Sequence, residues 1–269
     1  MSELFRLRAL MRQLRDPHGG CPWDLRQTYQ SIVPHTLEEA YEVAQAIEES
    51  DFAALPGELG DLLFQVIFYC QLAEEEARFS LDDVIEALET KLRERHPHVF
   101  GADAAGSTGG HDAERVARDW EARKAAQRRA ERGAESSELD DVPLLLPALS
   151  RAAKIQRRAA RVGFDWPDAA GARAKLDEEL MELDDAGASD DQERVVDEFG
   201  DVLFSMVNIA RHLGIEPEGA LRRATAKFEQ RFRRVEELTR DRHGALGNAS
   251  PAALDELWEL AKAERDPKV

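Results

Sequence analysis

Cysteine is scarce: Cys21 and Cys70 are the two in 269 residues, and they form no CxxC. Neither a disulfide framework nor a zinc site is suggested, and a reduced, cytoplasmic setting fits best. Aromatic residues make up 7% of the chain against 33% charged residues, which points to helices rather than a sandwich or barrel. No apolar run approaches the length of a membrane span. The segment 1–16 is amphipathic and charged and has no apolar signal core. Positive charge is also in deficit, with 36 Lys and Arg against 54 Asp and Glu, a formal charge of −18. Nonspecific nucleic-acid binding needs a basic surface and is not expected. An anionic substrate is equally awkward unless metal cations supply the missing charge.

Against these absences stands one stretch that occurs twice. Glu58-Leu-Gly-Asp-Leu-Leu-Phe-Gln-Val-Ile67 returns as Glu198-Phe-Gly-Asp-Val-Leu-Phe-Ser-Met-Val207, with five of ten positions identical. Both copies are too long for an ordinary strand and suit a helix that is apolar nearly all round, the mark of a buried one. Each carries Glu and Asp three residues apart, so two carboxylates share one face. Burying them costs several kcal/mol unless something neutralises them. Gly60 and Gly200 add to the oddity, since mid-helix Gly costs about 1 kcal/mol against Ala. Close approach by another backbone or a ligand would explain them.

The duplication extends further. Glu39, Glu42, Glu58 and Asp61 recur at Glu179, Glu182, Glu198 and Asp201, each shifted by 140. Lys91-xxx-Arg95 recurs as Lys227-xxx-Arg231, shifted by 136. A chain of this length makes two ordinary domains, here two tandem helical bundles of the all-α class. We place them at 1–132 and 143–269, with a polar linker over 133–142.

Periodicity predicts helices over 2–15, Leu37–Glu49, from Glu58 to about Ala73, from Ser80 through Arg95, and over 112–132. The second half predicts Leu144–Arg161, Lys175–Asp185, Val195–Leu213, about 218–240, and Pro251–Ala263. The Gly/Ala/Ser-rich stretch 101–110 reads as flexible. Thr36-Leu-Glu-Glu39 has the form of a capping box, but Leu176 stands where Thr36 would be, so capping does not explain what the copies share. Trp23, in the turn-rich loop 16–24, either packs on the core or stacks on a flat ligand, and Gly163…Trp166 echoes Gly20…Trp23. His96 and His98 have the residue type of a metal pair, yet alternate helix positions do not face together.

Two antiparallel helices with inward carboxylate pairs bring four acids together. Hard divalent cations take oxygen ligands, and Mg²⁺ shares its shell with substrate phosphates. Lys and Arg four apart would meet the same phosphates. Acids for metal and bases for phosphate are what phosphoryl-group hydrolysis needs.

These segments resemble the MazG-type nucleoside triphosphate pyrophosphohydrolases in their two-domain bacterial form. The resemblance rests on LRDPHGGCPWD, TLEEAYEVAQAI, GELGDLLFQVIFY, KLRERHPHVFG, VARDWEARK, LPALSRAAKIQRRAARVGFDW and KFEQRFRRVEEL, and covers nearly the whole chain. It implies helical bundles whose active site is completed by homodimerisation, and Mg²⁺-dependent hydrolysis of an NTP to an NMP and pyrophosphate. It also implies a housekeeping role in nucleotide pools. By the same resemblance Glu179, Glu182, Glu198 and Asp201 would be the Mg²⁺ ligands, Lys227 and Arg231 would neutralise phosphates, and Trp258 and Lys262 would lie near the nucleotide. Glu39, Glu42, Glu58, Asp61, Lys91 and Arg95 would form the equivalent N-terminal set. The family commonly uses the C-terminal half for catalysis, which leaves open a non-catalytic, dimerising or regulatory N-terminal half. A di-iron carboxylate bundle is disfavoured because the sequence has no Glu-x-x-His, and an adaptor with merely solvated acids because the acids sit in apolar helices.

Overall fold

The computed structural model describes residues 3–101, 113–133 and 137–265. Past Gly101, the stretch expected to be flexible lies outside the described residues, as do 134–136 of the expected linker. The described elements are helical throughout, and contacts divide the chain into two units at Ala126/Gln127, within a helix.

In the first unit α1 (Glu3–Leu14) packs Leu4 and Met11 against Ile32, Phe68 and Leu72. It stops in a tight turn where the N–H groups of Gly19 and Gly20 donate to the Asp16 carbonyl and Cys21 N–H donates to Leu14. A Cβ at Gly20 would collide with the Leu14 and Asp16 backbone, so glycine is required there. Two arginine clamps hold α1 down. Arg8 and Arg12 both donate to Glu74 at 2.7 Å, and Arg15 donates to Glu75 at 2.6 and 2.8 Å.

The next two helices, α2 (Tyr29–Glu48) and α3 (Leu55–Glu75), form a hairpin. Its tight connection makes the neighbours antiparallel. The expected start near Leu37 is corrected to Tyr29. The capping box is Thr28 with Ser31, and Thr36 is interior, its hydroxyl bonded to the Ile32 carbonyl and 2.9 Å from Tyr69 Oη. Pro34, a helix breaker by composition, is tolerated close to the start, where few hydrogen bonds are lost. Ser80 caps α4 (Leu81–Arg95) with Asp83 as its reciprocal partner. Short α5 (Pro97–Phe100) and long α6 (Ala113–Arg132) follow.

The second unit repeats the plan. It runs through α7 (Ala148–Arg161), α8 (Ala169–Gly187), α9 (Gln192–His212), α10 (Pro217–His243) and α11 (Pro251–Arg265). Helix α7 begins at Ala148 rather than Leu144, because Pro147 takes an extended ψ of 142° and leaves Leu144 and Leu145 exposed. The α8–α9 hairpin matches α2–α3, and α11 lies on the C-terminal part of α10 through Val235, Leu238, Leu257 and Ala261.

The expectation that the repeated helix is buried all round is corrected within the single chain. Phe68, Ile67 and Val207 are buried, but Leu59, Leu63 and Val66 on α3 and Phe199, Leu203, Phe204 and Met206 on α9 are exposed. A Cβ at Gly60 or Gly200 would meet nothing within 4 Å among the described residues, so no described neighbour explains these glycines.

Candidate active site

The hairpins gather the acids because an ExxE on the first helix faces an ExxD on the second. In the first unit one oxygen each of Glu39, Glu58 and Asp61 lies within 4.8 Å of the others. In the second, Glu179, Glu182 and Glu198 converge within the same limit. Three acids therefore meet in each unit, and the fourth differs. Exposed Glu42 lies outside the first set; it lines a cavity of about 270 Å³ with Glu49, Asp51 and Glu58. Asp201 is exposed and outside the second set, three residues along α9 from Glu198.

Crowded carboxylates resist ionisation. Partial burial raises the Glu39 carboxyl above its ordinary range, and the charges of Glu42 and Asp61 push the same way. Burial likewise raises Glu182, helped by Glu179 and Glu198, with Lys175 opposing.

Lys175 and Arg194 were missed by sequence reasoning. Lys175 Nζ lies 2.7 Å from Glu179 Oε1 and 3.0 Å from Glu178, and these bonds raise its pKa, Glu179 contributing most. Arg194 Nε lies 3.6 Å from Glu198. The available signal was spacing: each base stands four residues before an acid, one helical turn. At the equivalent places the first unit has His35 and Ala54. Among the described residues no lysine or arginine pairs with Glu39, Glu58 or Asp61. His35 faces Glu38 instead, at 3.7 Å.

The remaining candidates lie elsewhere in the chain. Lys227 falls in the stretch 221–230 of α10, every residue of which is exposed, and Arg231 is half-buried. Neither is among the groups acting on Glu182. Trp258 packs against Phe228, ring centroids 5.4 Å apart, and Lys262 pairs with Glu259 at 2.8 Å. In the first unit Lys91 is exposed, and Arg95 lies over Trp120, 5.3 Å from its ring centre. Trp120-xxx-Lys124 is a counterpart of Trp258-xxx-Lys262, a further member of the duplication that helix periodicity alone did not isolate. His96 packs against Trp120 at 4.7 Å, and neither it nor His98 joins a described cluster of acids.

What the two units define is an all-α, duplicated set of carboxylate hairpins with oxygen donors only. The family model for the MazG nucleotide pyrophosphohydrolase domain matches residues 27–100 and 169–235, each hairpin together with helical residues beyond it. The chain is 46% identical to the nucleoside triphosphate pyrophosphohydrolase of Escherichia coli strain K12 over 98% of each protein. It is 43% identical to the nucleoside triphosphate pyrophosphohydrolase/pyrophosphatase MazG of Thermotoga maritima over 94% of this chain and 93% of that one. The chain belongs to the MazG nucleotide pyrophosphohydrolase family. No described helix is long and apolar enough to cross a membrane.

Proposed function

We propose that the chain is a Mg²⁺-dependent nucleoside triphosphate pyrophosphohydrolase. It cleaves between the α- and β-phosphates to release a nucleoside monophosphate and pyrophosphate, and it acts in the cytoplasm as housekeeping for nucleotide pools. The second unit is the catalytic one. The observation that carries this reading is the convergence of Glu179, Glu182 and Glu198 beside two cations, Lys175 and Arg194.

The donor set fits the metal. Three carboxylates offer hard oxygens, and burial, together with the charges of Glu179 and Glu198, raises the Glu182 carboxyl, a cost that a divalent cation would offset. Glu179, Glu182 and Glu198 would hold the ion, with Asp201 one turn away on the same helix face. A Mg²⁺ ion held by these carboxylates would supply positive charge to offset that of the phosphates. Lys175 and Arg194 stand within one turn of their carboxylates, where they could meet phosphate oxygens. A carboxylate oxygen of the same set orients water for in-line attack on the α-phosphorus.

Lys227, Arg231, Trp258 and Lys262 complete the site from a second copy in a homodimer. The exposed length 221–230 of α10 supports this, as do the uncovered apolar faces of α3 and α9 and the open space over Gly60 and Gly200. The first unit serves assembly or regulation. Its set of Glu39, Glu58 and Asp61 has His35 and Ala54 where the second unit has Lys175 and Arg194, so it is less fitted to neutralise a triphosphate.

The test is product analysis with each NTP and Mg²⁺. Equal NMP and pyrophosphate, lost with EDTA, is expected. NDP and phosphate, or turnover that survives EDTA, would overturn the reading.

A further inference from the structure

The two loops Gly20–Trp23 and Gly163–Trp166 each precede the helix carrying an ExxE pair, and nothing in the carboxylate chemistry uses them. In the second unit the indole of Trp166 lies directly on the backbone of α8 at Gly171. A Cβ on Gly171 would overlap Cδ1 and Cγ of the ring, so only glycine admits this contact. Trp166 as a residue nevertheless keeps 39% exposure, and neighbouring Phe164 keeps 83%. An aromatic that merely sealed the core would be covered.

The place of the ring is informative. Gly171, Lys175, Glu179 and Glu182 follow one another at four, four and three residues, and so form one stripe along α8. At 1.5 Å per residue Gly171 stands about 12 Å from Glu179 along the axis, with Lys175 midway. An aromatic face, a cation and a carboxylate cluster thus occur in the order in which a nucleotide presents base, near phosphates and metal.

The loop is also held rigidly. Asp165 accepts from Arg211 Nη1 at 2.9 Å and from Nη2, lies 3.3 Å from His212 Nε2, and accepts the Trp166 N–H at 2.9 Å. Pro167 restricts the next backbone torsion, and Asp168 caps α8 through Ala170 N–H at 2.8 Å. A ring fixed before binding loses little entropy on stacking. The first unit does not repeat this. Trp23 meets His35 edge-on at 6.0 Å, and Ser31, at the place of Gly171, is engaged in the capping box.

We propose that Trp166 is the nucleobase platform of the second unit, stacking on the base of the nucleoside triphosphate whose phosphates lie at Glu179, Glu182 and Glu198. The inference rests on the reading of that cluster as the nucleotide site. Every base has a π-face, so a stack without edge contacts recognises nucleotides broadly.

The test uses the full-length protein with Mg²⁺ and compares NTP kinetics with competitive inhibition by inorganic tripolyphosphate, which has no base. Trp166→Ala raises KM for each NTP about ten- to a hundredfold, the worth of one base–aromatic stack, with kcat little changed. Trp166→Phe recovers most of the loss, and the tripolyphosphate inhibition constant stays put. Gly171→Ala keeps the ring but displaces it, and shifts KM in the same direction with the helical CD signal intact. Equal weakening of tripolyphosphate and NTP would make Trp166 a structural cap. An unchanged KM in Trp166→Ala, with active wild type, would overturn the platform alone. A wild type that hydrolyses no nucleotide would overturn the site reading and the platform with it.

Discussion

Glu179 is buried, yet Lys175 lies 2.7 Å away, so its charge is compensated before any ligand arrives. The opposite holds at Glu39, where burial and the neighbouring acids Glu42, Asp61 and Glu38 all act against ionisation. Residue by residue, compensation is what separates the two clusters. Glu198→Ala removes one of three converging oxygens at a half-buried position of α9. NTP turnover is expected to fall below detection while far-UV CD is retained; surviving turnover would place hydrolysis in the first unit. Arg15 answers to stability rather than chemistry. Its buried guanidinium bonds Glu75 and the Asp24 carbonyl and lies 5.4 Å from the Phe68 ring centre. Arg15→Ala should cost the first unit about 2–4 kcal/mol, since it strands a partly buried carboxylate, and urea unfolding of that unit measures it.

At the scale of elements, the hairpin is the working part, because two helices with acids at matching heights make a site that neither makes alone. What fixes the heights is where each helix starts. Thr28 and Ser80 set α2 and α4 by side-chain caps, whereas Pro147 sets α7 by its extended ψ. Ser80→Ala removes the bond from Asp83 N–H to the Ser80 hydroxyl and leaves the reciprocal bond from Ser80 N–H to Asp83, and should destabilise the first unit by about 1 kcal/mol. Thermal unfolding checks this, and an unchanged midpoint would mean that α4 is held without the lost bond.

For the molecule as a whole, exposed Phe199, Leu203 and Phe204 on α9 are hard to reconcile with an isolated chain. On the proposed homodimer, Leu203→Glu is expected to yield monomers by light scattering with unchanged helicity and lost turnover; a persistent, active dimer would move the interface elsewhere, and a monomeric, active parent protein would overturn the homodimer. Acidity offers a second global readout. Folded Glu39 and Glu182 hold protons more tightly than when unfolded, so their contribution to stability is present at low pH and disappears as pH rises through their raised values. Glu75 and Asp165 are held below the carboxylate range by Arg15 and Arg211. Glu74 is lowered as well, its burial outweighed by Arg12 and Arg8. These three stabilise above the ordinary carboxylate range, and that contribution is lost as pH falls through their depressed values. Metal-free protein should therefore melt highest in mildly acidic buffer, and Mg²⁺ should raise the melting temperature most near neutral pH. A profile insensitive to Mg²⁺ at every pH would refute metal binding by these acids.

Much of this was legible in the chain itself. Helical class, duplication and the eight acids follow from periodicity and spacing, because residues three or four apart share a face of any helix that forms. Helix starts at Tyr29 and Ala148 were not legible, since they depend on whether Pro34 is tolerated near a capped end and whether Pro147 turns away. Nor was the choice of acids that converge. Glu42 and Asp201 have the right spacing but stand outside the sets, while Lys175 and Arg194 stand against them. Spacing determines what one helix can present; only the packing of two helices decides which of those groups meet, because that depends on their rotation and height relative to each other.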